Sequence, residues 1–142
     1  MDSLYHTFAV NRTGLPGTSY IDAPAGLQLA VSSPLTPAAG TNPEQLIGLA
    51  LATCLNATLR LIEQRQHDAL DAAVRVRVDM GKDQAGYQFT LTAQVCLPQH
   101  DQAAAQQLLA QAQRECPIAK LVASSANVSV RLVPNFTDSS AF

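Results

Sequence analysis

The sequence has no tryptophan, three tyrosines and four phenylalanines, and only 14% of its 142 residues are charged. Together with a hydrophobic content of 47%, this low charge argues against a disordered chain, because disorder requires low hydrophobicity and high charge. The lysines and arginines number nine and are spread along the chain, so we expect no nucleic-acid partner, since phosphate backbones are bound by clustered cations. We expect one domain, residues 1–142, that folds without disulfides.

Long apolar runs are also missing. The longest candidate, Leu46 to Leu61, is interrupted by Thr53, Asn56, Thr58 and Arg60, whereas a membrane span needs about 20 predominantly apolar residues. The N-terminal segment MDSLYHTFAV has no basic region followed by a long apolar one, so no signal peptide is predicted. We therefore expect a cytoplasmic protein with no membrane partner, whose cysteines are reduced.

Turn residues and apolar periodicity in the N-terminal part predict short strands followed by a long helix. Pro, Gly and Ser separate short apolar runs, and Leu27–Val31 alternates as a half-buried strand does. Asn42 is a good helix cap and Pro43 suits the first helical position. The helix to about Gln64 is apolar on nearly every face, which predicts burial on all sides except at a solvated end, Glu63–Asp68.

The C-terminal part predicts a hairpin, a second helix and a last strand. Apolar and polar residues alternate in both strands of the hairpin, Asp101 caps the helix, and Pro117 ends it. The elements are, in order, the strand Val74–Met80, the loop Gly81–Gly86, the strand Tyr87–Cys96, the helix Gln102–Glu115 and the strand Asn127–Val133. This order predicts an α+β fold, with helices segregated from an antiparallel sheet.

The three cysteines are the candidates for chemistry. Cys54 lies near the middle of the apolar helix, Cys116 lies at the end of the second helix, and Cys96 lies on the Gln/Thr face of its strand. Free cysteines most often pack as small hydrophobic residues, and that interpretation stays open for each of them. By strand period, Cys96 is separated from the core and is expected to have a structural or surface role.

Metal binding is not predicted, because His6, His67 and His100 lack ligand spacing to one another or to a cysteine. A catalytic cysteine–histidine pair stays open, since such partners need not be close in sequence.

Two segments resemble the cysteine motifs of the organic hydroperoxide resistance (Ohr) and OsmC peroxidase family. The first is Gly40–Leu46 (GTNPEQL), in which Glu44 precedes Cys54 by ten residues. The second is Cys116–Lys120 (CPIAK), followed by Ala126–Val128 at the start of a strand. The resemblance extends from the first strand to about Val133 and therefore covers nearly the whole chain.

Arg12, in a loop after the first predicted strand, stands where the family carries its functional arginine. Two positions depart from the Ohr pattern: Leu55 follows the first cysteine where many members have an aromatic residue, and Ile118 follows the Cys-Pro pair where many have tyrosine. These positions leave the choice between the Ohr and OsmC subfamilies open.

The resemblance implies a fold and a set of residue roles. The fold is OsmC-like: antiparallel sheets, a long buried central helix and a second helix, in an intertwined homodimer. Cys54 is the peroxidatic cysteine and Cys116 the resolving one; Arg12 stabilises the thiolate and the peroxide, and Glu44 orients Arg12. A cation is needed because burial on an apolar helix raises the pKa of a thiol, and the thiolate is the nucleophile.

The resemblance also implies an activity. The substrates are organic hydroperoxides, including those of fatty acids, which are reduced to alcohols through a Cys54 sulfenic acid and a Cys54–Cys116 disulfide. No cofactor is bound, and an external dithiol, such as a dihydrolipoyl group on a lipoylated protein, restores the thiols. The alternatives are a thiol redox sensor and a small-molecule-binding module of the same fold, without peroxidase turnover.

Helix geometry constrains where the charges act. Glu44 and Cys54 are ten residues apart, which on a straight helix means about 15 Å of rise and roughly 80° of rotation. Either the helix is broken, or Arg12 and Glu44 serve the Cys54 of another subunit. The second alternative makes a homodimer necessary for activity and gives the apolar helix a partner to cover it.

Overall fold

The computed structural model of the chain describes residues 1–137 and forms two compact units, Met1–Leu46 and the chain from Ile47 onward. A single domain over residues 1–142 stays a prediction.

The first unit contains a small antiparallel sheet in the order β1-β2-β3, as the alternating pattern predicts. Its strands are β1 (Ala9–Asn11), β2 (Gly17–Ile21) and β3 (Gln28–Val31). Val31 is buried, whereas Leu27 is 60% exposed.

Helix α1 (Pro43–Arg65) begins where the sequence predicts. The side-chain oxygen Oδ1 of Asn42 accepts a hydrogen bond from the backbone N–H of Gln45 at 2.8 Å, which satisfies one of the free donors at a helix start. The chain leaves the helix shortly after Arg65, and His67 takes the left-handed conformation with φ of 59°.

The second unit contains the remaining elements: β4 (Ala73–Lys82), β5 (Tyr87–Cys96), α2 (Gln102–Glu115), α3 (Pro117–Val122) and β6 (Val128–Leu132). The hairpin is confirmed, since β4 pairs antiparallel with β5 from Ala73 opposite Cys96 to Lys82 opposite Tyr87. Asp101 caps α2 as predicted, because its Oδ1 accepts from the N–H of Ala104 at 2.8 Å.

The prediction of a wholly antiparallel sheet is wrong at its last strand. β6 runs parallel to β5, with Leu91 opposite Val128. The chain between these strands passes through α2 and α3, and a crossover of this length returns a strand in the same direction as its neighbour. Helix α3 was also not predicted: Pro117 ends α2 but occupies the first turn of a new helix.

The core of the second unit lies between β5, one face of α1 and the inner face of α2. Its fully buried members include Leu55, Leu59, Ala93, Val95 and Ala112. The predicted alternation in β5 is confirmed only in part, because the polar Gln94 is also buried and the apolar Tyr87 is 59% exposed.

Two predictions about α1 do not hold in the single chain. The helix is not buried on all sides, because Leu49 is 63% exposed and Leu61 is 52% exposed. Its end is not wholly solvated either, because Glu63 is 0% exposed. Periodicity does not distinguish a helix covered by its own chain from one whose second apolar face lies open.

By length and composition alone, α1 could cross a membrane, which differs from the expectation that no segment could. Within the part of the chain that the structure describes, 28% of its most apolar stretch is buried. The core helix of a soluble protein passes the same test of length and composition.

Candidate active site

The centre of the candidate site is a pair of free thiols in the second unit. The Sγ atoms of Cys54 on α1 and Cys116 at the end of α2 lie 3.4 Å apart, although 62 positions separate them in the sequence. A disulfide bond is about 2.05 Å long, so a small movement of either side chain would bring the sulfur atoms to bonding distance once one of them is oxidised. The end of α2 therefore packs on the middle of α1, as a reactive pair requires.

Cys116 is held at the junction of two helices. Its backbone N–H donates to the carbonyl of Ala112 at 2.8 Å and so completes the last turn of α2. Its Sγ accepts from the N–H of Ala119 at 3.4 Å and so caps α3, in which Pro117 takes the first turn. One residue thus ends one helix and starts the next, which fixes its sulfur toward Cys54.

The two thiols differ in accessibility. Cys116 is 0% exposed, whereas Cys54 is partly exposed. A peroxide arriving from solvent can therefore meet Cys54 first.

The surroundings of Cys54 within the chain oppose ionisation. Burial raises the pKa of the Cys54 thiol, and the adjacent Cys116 thiol raises it further. The backbone N–H of Ile118 donates toward the Cys54 sulfur and lowers the pKa in part. Because the net change is upward, a positive charge from outside this pair is needed for a thiolate at neutral pH.

Arg12 lies in the loop after β1, as predicted, and belongs to the first unit. Its Nε donates to the hydroxyl oxygen of Tyr20 at 3.2 Å, and this hydrogen bond raises the pKa of an already basic group. Sequence reasoning missed Tyr20. The register that pairs Val10 with Tyr20 places Arg12, two residues later, on the same face, so a correctly aligned hairpin predicts the contact.

Glu44 lies in the first turn of α1. Its oxygen Oε2 is buried and has no hydrogen-bond partner among residues 1–137. Within the same residues no salt bridge joins Glu44 to Arg12, so the pair implied by the family resemblance is not formed in the single chain. A buried carboxylate oxygen without a donor is costly, and a guanidinium group would satisfy it.

The continuity of α1 decides one of the alternatives left open by the sequence. The helix runs without a break from Pro43 to Arg65 and contains both Glu44 and Cys54. The rise between them is therefore about 15 Å, and a broken helix is excluded as the means of bringing them together.

Cys96 takes no part in this pair. Its Sγ donates to the carbonyl oxygen of Pro134 at 3.2 Å. Its hydrogen bond to the segment after β6 agrees with the structural role predicted from its position in the strand.

Comparisons with known proteins identify the family. Residues 36–131 match the family model described as OsmC-like protein. The organic hydroperoxide resistance protein OhrA of Bacillus subtilis (strain 168) is 31% identical over 133 residues, which cover 89% of this chain and 93% of the relative. The chain belongs to the OsmC-like family.

Solved structures confirm the fold. A candidate redox protein from Lactobacillus casei ATCC 334 superposes with a TM-score of 0.90 at 40% identity, covering 96% of both chains. The organic hydroperoxide resistance protein OhrB of Bacillus subtilis superposes with a TM-score of 0.81 at 26% identity, covering 92% of this chain and all of the other. The predicted OsmC-like α+β fold is therefore correct.

Proposed function

We propose that the protein is a cysteine-based peroxidase that reduces organic hydroperoxides to alcohols. The observation that carries the proposal is the reduced pair Cys54 and Cys116, whose sulfur atoms lie 3.4 Å apart on two helices that fix them. The names of the Ohr relatives support organic hydroperoxides as the substrate class.

In the first step the Cys54 thiolate attacks the terminal oxygen of the hydroperoxide. The O–O bond breaks, Cys54 becomes a sulfenic acid, and the other oxygen leaves as the alcohol after taking up a proton. Cys54 has this role because it is the more exposed of the two thiols. Cys54 packs against the apolar core that includes Leu51 and Leu55, and the backbone N–H of Ile118 approaches its sulfur. We infer that this apolar setting suits an alkyl or fatty-acyl chain better than hydrogen peroxide.

In the second step the Cys116 thiol condenses with the sulfenic acid, which releases water and forms the Cys54–Cys116 disulfide. The short distance between the sulfur atoms favours this step over oxidation by a second peroxide molecule. An external dithiol then reduces the disulfide by thiol–disulfide exchange and is itself oxidised to a disulfide. We assign that role to a dihydrolipoyl group on a lipoylated protein, with no resident cofactor.

The proposed active unit is a homodimer in which Arg12 and Glu44 of one subunit serve Cys54 of the other. The helix rise between Glu44 and Cys54 supports this assignment, as does the buried oxygen of Glu44 that has no donor among residues 1–137. In the dimer Glu44 would hold the guanidinium of Arg12, and Arg12 would lower the pKa of Cys54 and polarise the peroxide.

The uncovered side of α1 provides a surface for this association. A stripe of small and apolar residues at helical spacing is exposed along the helix: Leu49, Thr53, Ala57 and Leu61. A second copy of the same stripe would bury it, as one apolar helix covers another.

The test is consumption of cumene hydroperoxide with dihydrolipoamide as the reductant. Cys54→Ser removes the nucleophile, so kcat should fall at least about 10³-fold. Cys116→Ser should retain one rapid oxidation of Cys54 but lose turnover, and Cys96→Ser is the matched control that keeps both. Wild-type protein treated with one equivalent of peroxide should lose two hydrogens, mapped to Cys54 and Cys116 by mass spectrometry.

Full turnover by Cys54→Ser would overturn the mechanism. A wild-type protein that forms the disulfide once but does not turn over with dithiols would instead be a redox sensor. Thiols that stay reduced after one equivalent of peroxide would indicate a binding module with inert cysteines.

A further inference from the structure

A cluster of polar side chains at the far end of α1 has no part in the proposed peroxidase chemistry. It consists of Glu63 near the end of α1, Asp71 before β4, and His100 between β5 and α2, all in the second unit. One ligand atom from each residue lies within 4.8 Å of those from the other two. Three separate segments thus converge on one point.

The cluster is buried and short of partners. Glu63 is 0% exposed, and the side chain of His100 is 9% exposed. Among residues 1–137, no hydrogen-bond partner meets Oε1 of Glu63, either carboxylate oxygen of Asp71, or Nδ1 of His100. Four buried polar atoms in one cluster without donors or acceptors would be costly unless something bound them.

The other polar atoms of His100 and Glu63 have hydrogen-bond partners that orient these two side chains. Nε2 of His100 lies 3.3 Å from Oδ2 of Asp68, and the N–H of Ala72 donates to Oε2 of Glu63 at 3.4 Å. A histidine that donates Nε2–H to a carboxylate keeps the lone pair on Nδ1, which is the usual arrangement behind a metal-bound imidazole. The second ring nitrogen is therefore available as a ligand.

We propose that Glu63, Asp71 and His100 form a binding site for a divalent first-row metal ion, with Zn²⁺ as the tightest-binding of those tested. One imidazole nitrogen and carboxylate oxygens are ligands that Zn²⁺ accepts, at about 2.0–2.2 Å from the ion. Around a tetrahedral ion at that distance the donor atoms lie about 3.4 Å from one another, so atoms that are at most 4.8 Å apart would have to approach by up to about 1.4 Å on binding. A second oxygen of Asp71 or a water molecule would complete the coordination.

The ion would also resolve an electrostatic problem. Two carboxylates that face each other in a buried space repel, and burial raises the pKa of Glu63, with the nearby Asp71 raising it further. A divalent cation neutralises both groups at once. The competing explanation is a shared proton between Glu63 and Asp71, with no ion present.

The role of the ion would be structural. Glu63 lies nine residues after Cys54 in the same helix, which is about 13.5 Å of rise. The ion would tie the end of α1 to the entries of β4 and α2 without touching the thiol pair. No motif in the sequence indicates the site, because its ligands come from three separate segments.

The test is a calorimetric titration of EDTA-treated protein with ZnCl₂. The protein carries Cys54→Ser, Cys96→Ser and Cys116→Ser, so that no thiol competes for the metal. We expect saturable binding of one ion per chain and a higher Tm with metal than without it. Affinity should decrease from Zn²⁺ to Mn²⁺, the order expected for a site with a nitrogen ligand.

Asp71→Asn and Glu63→Gln should each weaken binding at least about tenfold, and Asp68→Asn, which frees the histidine ring, by about 10- to 100-fold. Asp83→Asn, in the exposed β4–β5 loop, is the control and should bind as wild type does. Absence of saturable binding by the wild-type chain, or unchanged binding by Asp71→Asn, would overturn the proposal and favour the shared proton. Peroxide turnover of Asp71→Asn is measured separately, so the outcome does not depend on the proposed function.

Discussion

The two units of the chain differ in how much they bury. Apart from Val31, the buried apolar residues belong to the second unit, where they surround Cys116 and pack against Cys54. The first unit is a three-stranded sheet whose side chains are largely exposed. The groups that the family resemblance assigns to catalysis are divided in the same way, with the thiols in the second unit and Arg12 and Glu44 in the first.

The placement of the thiols and of Arg12 in different units matters for the proposed mechanism, because the thiols must be held at a fixed separation and also need a positive charge nearby. A packed core gives Cys54 and Cys116 a fixed separation, but burial also raises the pKa of Cys54. An exposed hairpin gives Arg12 little packing, but it keeps the cation solvated and directed by Tyr20. The surroundings of Cys54 in the second unit therefore favour the thiol, and in the proposed mechanism a cation from a first unit would favour the thiolate.

Among the changes that test this difference between the two units, removal of the Arg12 cation is expected to have the largest effect. Arg12→Ala should lower kcat/KM by about 10²- to 10³-fold, because one charged donor to both the thiolate and the peroxide is lost. Since burial raises the pKa of Cys54, loss of the cation should also move the midpoint of the pH dependence of alkylation to higher pH. At neutral pH the thiolate fraction then falls, and the rate recovers as the pH rises.

The measurement is iodoacetamide alkylation of Cys54 in a Cys96→Ser background from pH 5 to 10, beside steady-state kinetics. Arg131→Ala, which removes an exposed arginine from β6, is the matched control and should leave both unchanged. Arg12→Lys should restore part of the shift in midpoint but less of kcat/KM, because lysine lacks the forked donors. Identical pH profiles for Arg12→Ala and the wild type would show that Arg12 does not lower the pKa of the Cys54 thiol.

A smaller effect is expected from weakening the proposed dimer. Leu49→Glu places a charge on the uncovered stripe of α1 and should raise the dimer dissociation constant at least about tenfold, since an unpaired charge is poorly tolerated in an apolar interface. Turnover should then fall at low protein concentration and recover at high concentration. Analytical ultracentrifugation and kinetics over the same concentration range provide the measurement.

Leu35→Glu is the control, because Leu35 is 65% exposed and Leu49 is 63% exposed, yet Leu35 lies in the loop after β3. It should leave the dimer intact. An active wild-type monomer at assay concentration would remove the reason for placing Arg12 and Cys54 in different subunits.

Local features of the fold were predictable from the sequence. Asn42 and Asp101 cap their helices as expected, and the alternation in β4 and β5 gave the hairpin, because caps and pleats depend on neighbouring residues. The parallel pairing of β6 with β5 was not predictable in this way. It depends on where the chain returns after α2 and α3, which no local pattern records.

In the candidate site, too, local features are predictable from the sequence and long-range ones are not. The resemblance to the family motifs predicts roles for Cys54, Cys116, Arg12 and Glu44, but only the structure shows the distance between the sulfur atoms and the difference in their exposure. Glu63 was predicted to be solvated because it begins a polar stretch, yet it is fully buried. Whether a polar residue is buried depends on what packs over it from distant parts of the chain.

The smallest expected effect is on stability, and it comes from removing either of two helix caps, one in each unit. Replacing a capping side chain with alanine costs about 0.5–2 kcal/mol. Asn42 is 8% exposed and its hydrogen bond to Gln45 is partly buried, so Asn42→Ala should fall near the upper end of that range. Asp101 is exposed, and water can replace it, so Asp101→Ala should fall near the lower end.

Urea denaturation of reduced protein measures both losses, and Asn42→Ser and Asp101→Ser are the controls that keep a capping oxygen. A larger loss for Asp101→Ala than for Asn42→Ala would contradict the difference in burial between the caps. If Asn42→Ala loses more stability than Asp101→Ala, the cap from the weakly packed first unit contributes stability at the start of α1. That contribution is what an exposed hairpin needs if it is to hold Arg12 in place.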